Sequence, residues 1–532
     1  MNHHRDTTRK SRTRWSRGVA LTAVAALALT SCSASDAQND DEVTLVQSIG
    51  PLPHLNPQLI TSPNVRIAAG TMLEPLVKMT DEYDVVPWLA HDWEISDDGT
   101  EATLYLQEGV TWHDGEPFTA DDVKFNLDEV IQYQRAGIEI SGAIDTVEVV
   151  DEHTVRVLFR EPYGPFLQGL ALQSMLPRHI YEGTDFVENP ANSSPVGTGP
   201  LVMERFEEGS QVELVRNEDY WAGEVHIDRL IFAILTDPNA QDLALKSGEL
   251  DRSAIDSARL AEVEADPDLA VTTHGSMPWQ VFFNMNAQVE ELTDPEVRRL
   301  VFSAVDIDAL HEIAVPNNST PAESIYPPGL EWAKSPEVDY LEDFAYNVEA
   351  INQGLDDAGY PVGSDGYRFS LELTFMSHLA DARAMAEVIQ SSMDEVGIRI
   401  ELNAIEDTVY QEYVSQKGDF ELALLIGGTE TDPNLGITIW HECNPEEIPF
   451  RNPSGECDEE LDQYAMEALR SVSEQERGEA FQKFEERAAE VMTSAPVVHM
   501  WPLTAYSESR WEGAEIPTRN IPLDWHLIRP KD

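Results

Sequence analysis

An α/β protein of several domains is the fold this sequence predicts, and three observations carry the reading. The chain has 532 residues, a length that suggests roughly three to four domain-sized units. Short apolar or alternating runs of strand length take turns with amphipathic stretches of helical period. The composition, 42% hydrophobic and 25% charged, is that of a globular chain rather than a disordered one. No self-similarity with a period of about 20–50 residues is present, which sets aside a solenoid.

The elements follow in order. Residues 43–46 read as the first strand, ended by Gly50, Pro51 and Pro53. Residues 103–106 alternate polar and apolar and stop before Gly109. Thr119 and Asp122 form a loose capping box, and acids in a first turn suit the helix dipole, so a helix is expected over 120–133. Residues 147–150 and 154–159 are strands separated by Asp151-Glu152-His153, a hairpin signal. Strands are expected at 212–215 and 230–234, and a helix at 239–247 stopped by Gly248. Residues 279–284 are apolar and extended. Asp294-Pro295 opens a helix in which Val297, Leu300, Val301 and Ala304 recur at helical spacing. A helix over 383–396 is ended by Gly397 and followed by a strand at 398–402. Residues 420–426, apolar apart from Glu421, read as a strand buried on both faces. Helices at 459–469 and 473–492 come last, with Pro496 after the second.

Charge narrows the function. Against 97 Asp and Glu stand 35 Lys and Arg, a formal net charge of −62. Nucleic acid is held by basic stripes that this chain lacks, so a nucleic-acid partner is excluded. So acidic a surface attracts cations. A solvated, exported exterior explains it more simply than a preference for cationic ligands, since net charge says little about one cleft.

The first 17 residues carry Arg5, Arg9, Lys10, Arg12, Arg14 and Arg17 against Asp6, and an Ala/Leu-rich run follows over 19–29. This is the basic region and short apolar region of a secretory signal. The run is shorter than the roughly 18–20 apolar residues that a spanning helix needs. It ends Leu29-Thr30-Ser31-Cys32, which resembles a bacterial lipobox. That implies a signal peptide over 1–31, Cys32 as the diacylated first residue, and a polar tether over 32–42.

Two cysteines remain, Cys443 and Cys457, bracketing an irregular segment with Pro, Asn and Gly. In an exported chain a disulfide is the favoured reading. A metal site is the alternative, with His441 and Glu442 as further donors, but neither CxxC nor HExxH occurs, and no metal or other cofactor is expected.

The order of several stretches resembles the bacterial extracellular solute-binding proteins of family five, the dipeptide-, oligopeptide- and nickel-binding group. The longest is residues 85–127 (VVPWLAHDWEISDDGTEATLYLQEGVTWHDGEPFTADDVKFNL). Others are PVGTGP, RNEDYWAG, ALKSGELD, VFFNMN, DPEVRRLVFSAVDIDAL, ARAMAEVIQSSMDEVGIRIEL and GDFELALL. They run in the family's order across nearly the whole mature chain. Taken alone, most read as structure: His113 as part of a turn, Trp88, Trp93 and Trp221 as core, and Gly197-Thr198-Gly199-Pro200 as a crossing segment, since the rest of a phosphate loop is missing.

The resemblance implies a two-lobed periplasmic-binding-protein-like clamp with an additional inserted domain. The first lobe would be discontinuous, at 43–62, 196–275 and 499–532; the inserted domain would be 63–195 and the second lobe 276–498. A solute, peptide-like first of all, would be captured between the lobes and passed to an ABC permease with cytoplasmic ATPases. The protein would act as a monomer held by its lipid anchor on the outer face of the cell membrane. Nickel chelates and oligosaccharides are alternative ligands for the same fold. A sensory receptor or a secreted hydrolase are alternative classes, the latter without GxSxG or HExxH to support it.

Relatives that bind peptides hold the ligand ammonium on an aspartate four residues before a proline. Thr429 stands there, before Pro433, with Glu430 and Asp432 as possible substitutes. Arg383 is placed to grip a carboxylate bidentately. Trp279, Phe283 and Asn284 are expected to face the cleft, and Trp440 to wall a side-chain pocket.

Overall fold

A computed structural model describes residues 42–531 apart from 61, 81, 273–277, 446–447, 449–450 and 516–523. The signal peptide, Cys32 and nearly all of the tether lie outside the described residues. Three sheets organise the rest.

The first is mixed and seven-stranded, in the order Leu269–Thr272, Leu503–Ser507, Arg252–Ile255, Thr44–Ile49, Arg229–Ile234, Gln211–Arg216 and Leu201–Glu207. Thr44–Ile49 runs parallel to both of its neighbours. The second sheet has six strands, in the order Ser319–Pro321, Ser494–Met500, Trp279–Met285, Leu422–Gly428, Phe369–Met376 and Ile398–Ile405. Its last three are mutually parallel, and Trp279–Met285 is antiparallel to both of its neighbours. The third is antiparallel, built from Ala90–Ile95, Glu101–Leu106, Thr154–Phe159 and Ile144–Asp151. The chain leaves the first sheet at Thr272 and enters the second at Trp279, and it returns at Trp501-Pro502.

Local chemistry explains most element ends. Asp294, Asp237 and Ser473 cap the helices Pro295–Ser303, Pro238–Ser247 and Glu474–Val491 by accepting backbone N–H bonds. Gly248 ends its helix at φ 78°, a conformation that costs a residue without Cβ nothing. The helix expected at 120–133 is interrupted: α-helical over Ala120–Phe125, it widens to a π turn over Asn126–Val130 and closes as 3₁₀. Buried Asn126 sits at that change, bonding Asp122 O and also Leu176 O and N. The helix expected from residue 383 begins earlier, at Ala380.

Two polar knots fix the segment 63–195 to the first sheet. Glu74 is buried and accepts four bonds, from Trp88 Nε1 (2.8 Å), Tyr220 OH (2.8 Å), Trp221 Nε1 (2.9 Å) and Thr198 Oγ1 (2.7 Å), so its charge is fully solvated by protein. Trp88 and Trp221 meet edge to face at 5.1 Å, in the packed role the sequence suggested. His113 receives the Gly197 N–H on Nδ1 and donates from Nε2 to Gly199 O; burial lowers its pKa and keeps it neutral. A Cβ at Gly197 would stand 1.8 Å from Met72 O, so the glycine serves close backbone passage.

Candidate functional site

Sheet direction creates the site. In the second sheet, Phe369–Met376 and Leu422–Gly428 finish at one edge, and antiparallel Trp279–Met285 begins there, Trp279 pairing with both Gly428 and Met500. In the first sheet, Arg252–Ile255 and its parallel neighbour Thr44–Ile49 finish at one edge, and antiparallel Leu503–Ser507 starts there. The strand ends Ile255, Trp279, Ile426, Met500 and Leu503 all line one cavity of about 210 Å³ between these edges. Ligands of open α/β sheets bind outside the carboxyl ends of the strands, and here two such edges share one crevice. Ser257 Oγ donates to Asp381 Oδ1 at 2.7 Å across it. Burial raises the Asp381 pKa; the Ser257 bond opposes that shift and the neighbouring Asp256 charge adds to it.

The expected site residues fall into separate places. Trp279, half-buried, lines the cavity. Arg383 lies in the helix Ala380–Glu395, exposed, with its guanidinium 5.6 Å from the Phe375 ring centre. Phe283 points into the main core and Asn284 is buried within the second sheet, opposite Ala423 and Ser494, so neither faces the crevice as expected. Alternation along a strand whose two faces are both covered leaves only its first residue at the edge. Trp440 packs in a small core with Phe282, Tyr410 and Leu425.

The loop after Leu422–Gly428 departs most from expectation. Thr429 Oγ1 lies 3.0 Å from Tyr83 OH, and Thr431 Oγ1 donates to Gln168 O at 2.8 Å. Glu430, at φ 54°, pairs with Arg66 at 3.3 Å. Asp432 pairs with Arg477 at 2.7 Å, the two side chains only 2% and 5% exposed, and also accepts the Asn434 N–H. Both carboxylates expected to meet a ligand ammonium are therefore already matched by a guanidinium. Releasing one would strand a charge in a poorly hydrated place, at a cost of about 3–5 kcal/mol for a buried pair.

Arg66, Arg477, Asp256, Asp381 and Asn318 were not singled out from the sequence. A signal existed for Arg477: it shares one helical stripe with Phe481, Phe484 and Ala488, all buried. A cation on an apolar stripe calls for a buried partner. The acids carried no signal among 97 of their kind.

Cys443 and Cys457 are joined, with Cα atoms 4.5 Å apart. The Cys443 N–H donates to Asp462 at 2.8 Å. Among the described residues, the group of metal-capable side chains is this pair with Asp462, and its sulfurs are bonded to each other.

Known proteins agree with this architecture. The model of the bacterial extracellular solute-binding proteins, family 5 (middle region), matches residues 84–444. A nickel-binding periplasmic protein of Escherichia coli (strain K12) is 28% identical over 388 residues, covering 69% of this chain and 72% of that protein. Di/tripeptide-binding protein 2 of Pseudomonas aeruginosa (strain UCBPP-PA14) is 28% identical over 443 residues, covering 78% of this chain and 81% of its own. In fold, the crystal structure of the ABC transporter substrate-binding protein CtaP from Listeria monocytogenes superposes with a TM-score of 0.81 at 22% identity, over 92% of this chain and 100% of that one. With a family match over more than half its length and two large sheets presenting their strand ends to one crevice, the chain belongs to the bacterial extracellular solute-binding proteins of family 5, which bind solutes for transport and are not enzymes.

Proposed function

We propose that this protein is the substrate-binding lipoprotein of an ABC importer, capturing a peptide-like solute between two lobes and delivering it to a membrane permease. The observation that carries the reading is the crevice itself: strand ends from both large sheets line it, and Ser257 and Asp381 already bond across it. A ligand there touches both sheets at once, and the chain crosses between them at Trp501-Pro502, a place for a hinge, so binding favours closure. Sheet membership supports the lobes at 43–62, 196–275 and 499–532 and at 276–498, with 63–195 inserted, except that His499 and Met500 pair in the second sheet and move that last boundary to Trp501. The peptide ligand is supported by relatives named for dipeptides and for di- and tripeptides. Attachment through Cys32 to the outer face of the cell membrane follows from the signal sequence.

A second ligand class, a nickel chelate, is favoured by the nickel-binding relative at 28% identity. Mass spectrometry of the solute that co-purifies with native protein separates the two. A short peptide is the expected result; a metal chelate or a sugar would overturn the peptide reading. Detergent-phase partitioning of wild type and Cys32→Ala tests the anchor, and unchanged partitioning would refute it.

A further inference from the structure

The crevice has a chemical bias that neither the family nor the overall charge states. Four acids and guanidinium groups line it: Asp242 in the helix Pro238–Ser247, Asp256 and Arg259 just after the strand Arg252–Ile255, and Asp381 in the helix Ala380–Glu395. Arg259 is neutralised by Asp242 and also donates to Asn239 Oδ1 at 2.8 Å, so this cation is spent. Asp256 and Asp381 have no cationic partner among the described residues. Asp381 is tied only to the neutral Ser257 hydroxyl. Arg383, two positions further along the helix, is not among the lining groups and lies over Phe375. His378 is the remaining titratable side chain of the lining.

An independent observation points to a missing donor. Asn318 lines the same cavity and is 6% exposed, and its Oδ1 is buried with no hydrogen-bond partner. A buried acceptor left unpaired is costly, and one that lines a cavity asks for an N–H or O–H from whatever fills it. Trp279 and Trp501 supply aromatic surface beside these acceptors, and an aromatic face attracts a cation. Two carboxylates without a cationic partner, an unpaired amide oxygen and two indoles select a positively charged group that carries N–H donors.

We propose that this cavity is a cation subsite, in which Asp256, Asp381 and Asn318 Oδ1 receive an ammonium or guanidinium head carried by the solute. The proposal rests on the solute-binding reading of the crevice and narrows its ligand. It also reverses the polarity expected from the sequence: the acids of the loop 429–432 are occupied by Arg66 and Arg477, and the positive end of the solute lies against the helix that carries Arg383. Such a head has two sources, the α-ammonium of a peptide or the amine of a side chain or free diamine.

Calorimetry on the mature chain with trialanine, N-acetyltrialanine and cadaverine distinguishes them. The expected result is that trialanine or cadaverine binds, that N-acetyltrialanine binds at least about tenfold more weakly than trialanine, and that Asp256→Asn/Asp381→Asn weakens the bound amine by a similar factor. Asp256 is exposed, so Asp256→Asn alone, expected to weaken binding in the same direction, guards against a folding defect in the double variant. Trialanine affected by the variants assigns the α-ammonium; cadaverine alone affected assigns a free amine, upholding the cation subsite while the peptide reading fails. Equal binding of trialanine and its acetylated form, insensitive to both variants, overturns the subsite while the peptide reading stands. Failure of both amines to bind also overturns it.

Discussion

Converting Arg477 to Met tests whether the loop 429–432 is structural or ligand-binding. The guanidinium donates to Asp432 Oδ1 at 2.7 Å, to Asn434 Oδ1 at 3.2 Å and to Ala468 O at 3.1 Å, and lies 5.4 and 5.6 Å from the rings of Phe481 and Trp332. Methionine fills much of that volume, so the loss is mainly of charge and donors. It leaves Asp432 buried and unpaired, which places the cost at about 3–5 kcal/mol. Asp432→Asn keeps the shape and an acceptor for Asn434 N–H but removes the counter-charge, and should cost about 2–4 kcal/mol. With both groups gone, neither strands the other, so the double variant should fall short of the sum by at least about 1.5 kcal/mol. Urea denaturation of the four proteins measures the cycle. Ligand affinity adds a second readout, because a structural pair predicts that folded Asp432→Asn binds the native solute within about twofold of wild type. Additive variants, or a large selective loss of affinity in Asp432→Asn with stability unchanged, would refute the structural assignment.

Other consequences are more local. His499 is 2% exposed, and burial, with Lys334 adding to it, depresses its pKa from 6.5 to about 3. The unfolded chain therefore binds the proton first: stability is full above the unfolded pKa and is lost as pH falls from about 6.5 towards 3. This stability amounts to roughly 2 kcal/mol between pH 7 and 5, and His499→Gln should lose that much less over the same interval in urea melts. Opening the Cys443–Cys457 bridge, which closes a sequence separation of 14, should cost about 3 kcal/mol in Cys443→Ser/Cys457→Ser, and thiol titration of the unfolded, unreduced protein should find this pair unreactive. Gly197→Ala should destabilise by about 2–4 kcal/mol or prevent folding, because the obstacle is the backbone oxygen of Met72; a neutral effect in thermal melts would contradict the close passage.

What was legible in the sequence follows from how local the responsible physics is. The strand expected at 420–426 and found at Leu422–Gly428, and the helix expected at 239–247 and found at Pro238–Ser247, were visible because an apolar run and a C-terminal glycine are written in consecutive residues. The hairpin of Ile144–Asp151 and Thr154–Phe159 was visible for the same reason. The π turn at Asn126 was not: there the Asn126 side chain bonds Leu176, 50 residues away, a contact that no local pattern records. The site divides along the same line. Trp279 could be placed at the crevice because it opens a strand just after a crossing, whereas Phe283 and Asn284 were misjudged because a strand covered on both faces gives alternation no solvent side.

Charge was the least legible quantity, and the reason is physical. Sequence counts acids but does not pair them. Glu430 and Asp432, the acids that spacing recommends, are matched by Arg66 and Arg477, which stand 364 and 45 residues away in the chain. Asp256 and Asp381, which no spacing recommends, face each other only because strand ends of two different sheets converge. In a chain this poor in bases, each arginine drawn into the interior fixes which carboxylates are spent and, by subtraction, which remain to meet a ligand. Locating the carboxylates that Arg66, Arg259 and Arg477 pair with is therefore what turns an unspecific charge of −62 into a specific acidic subsite.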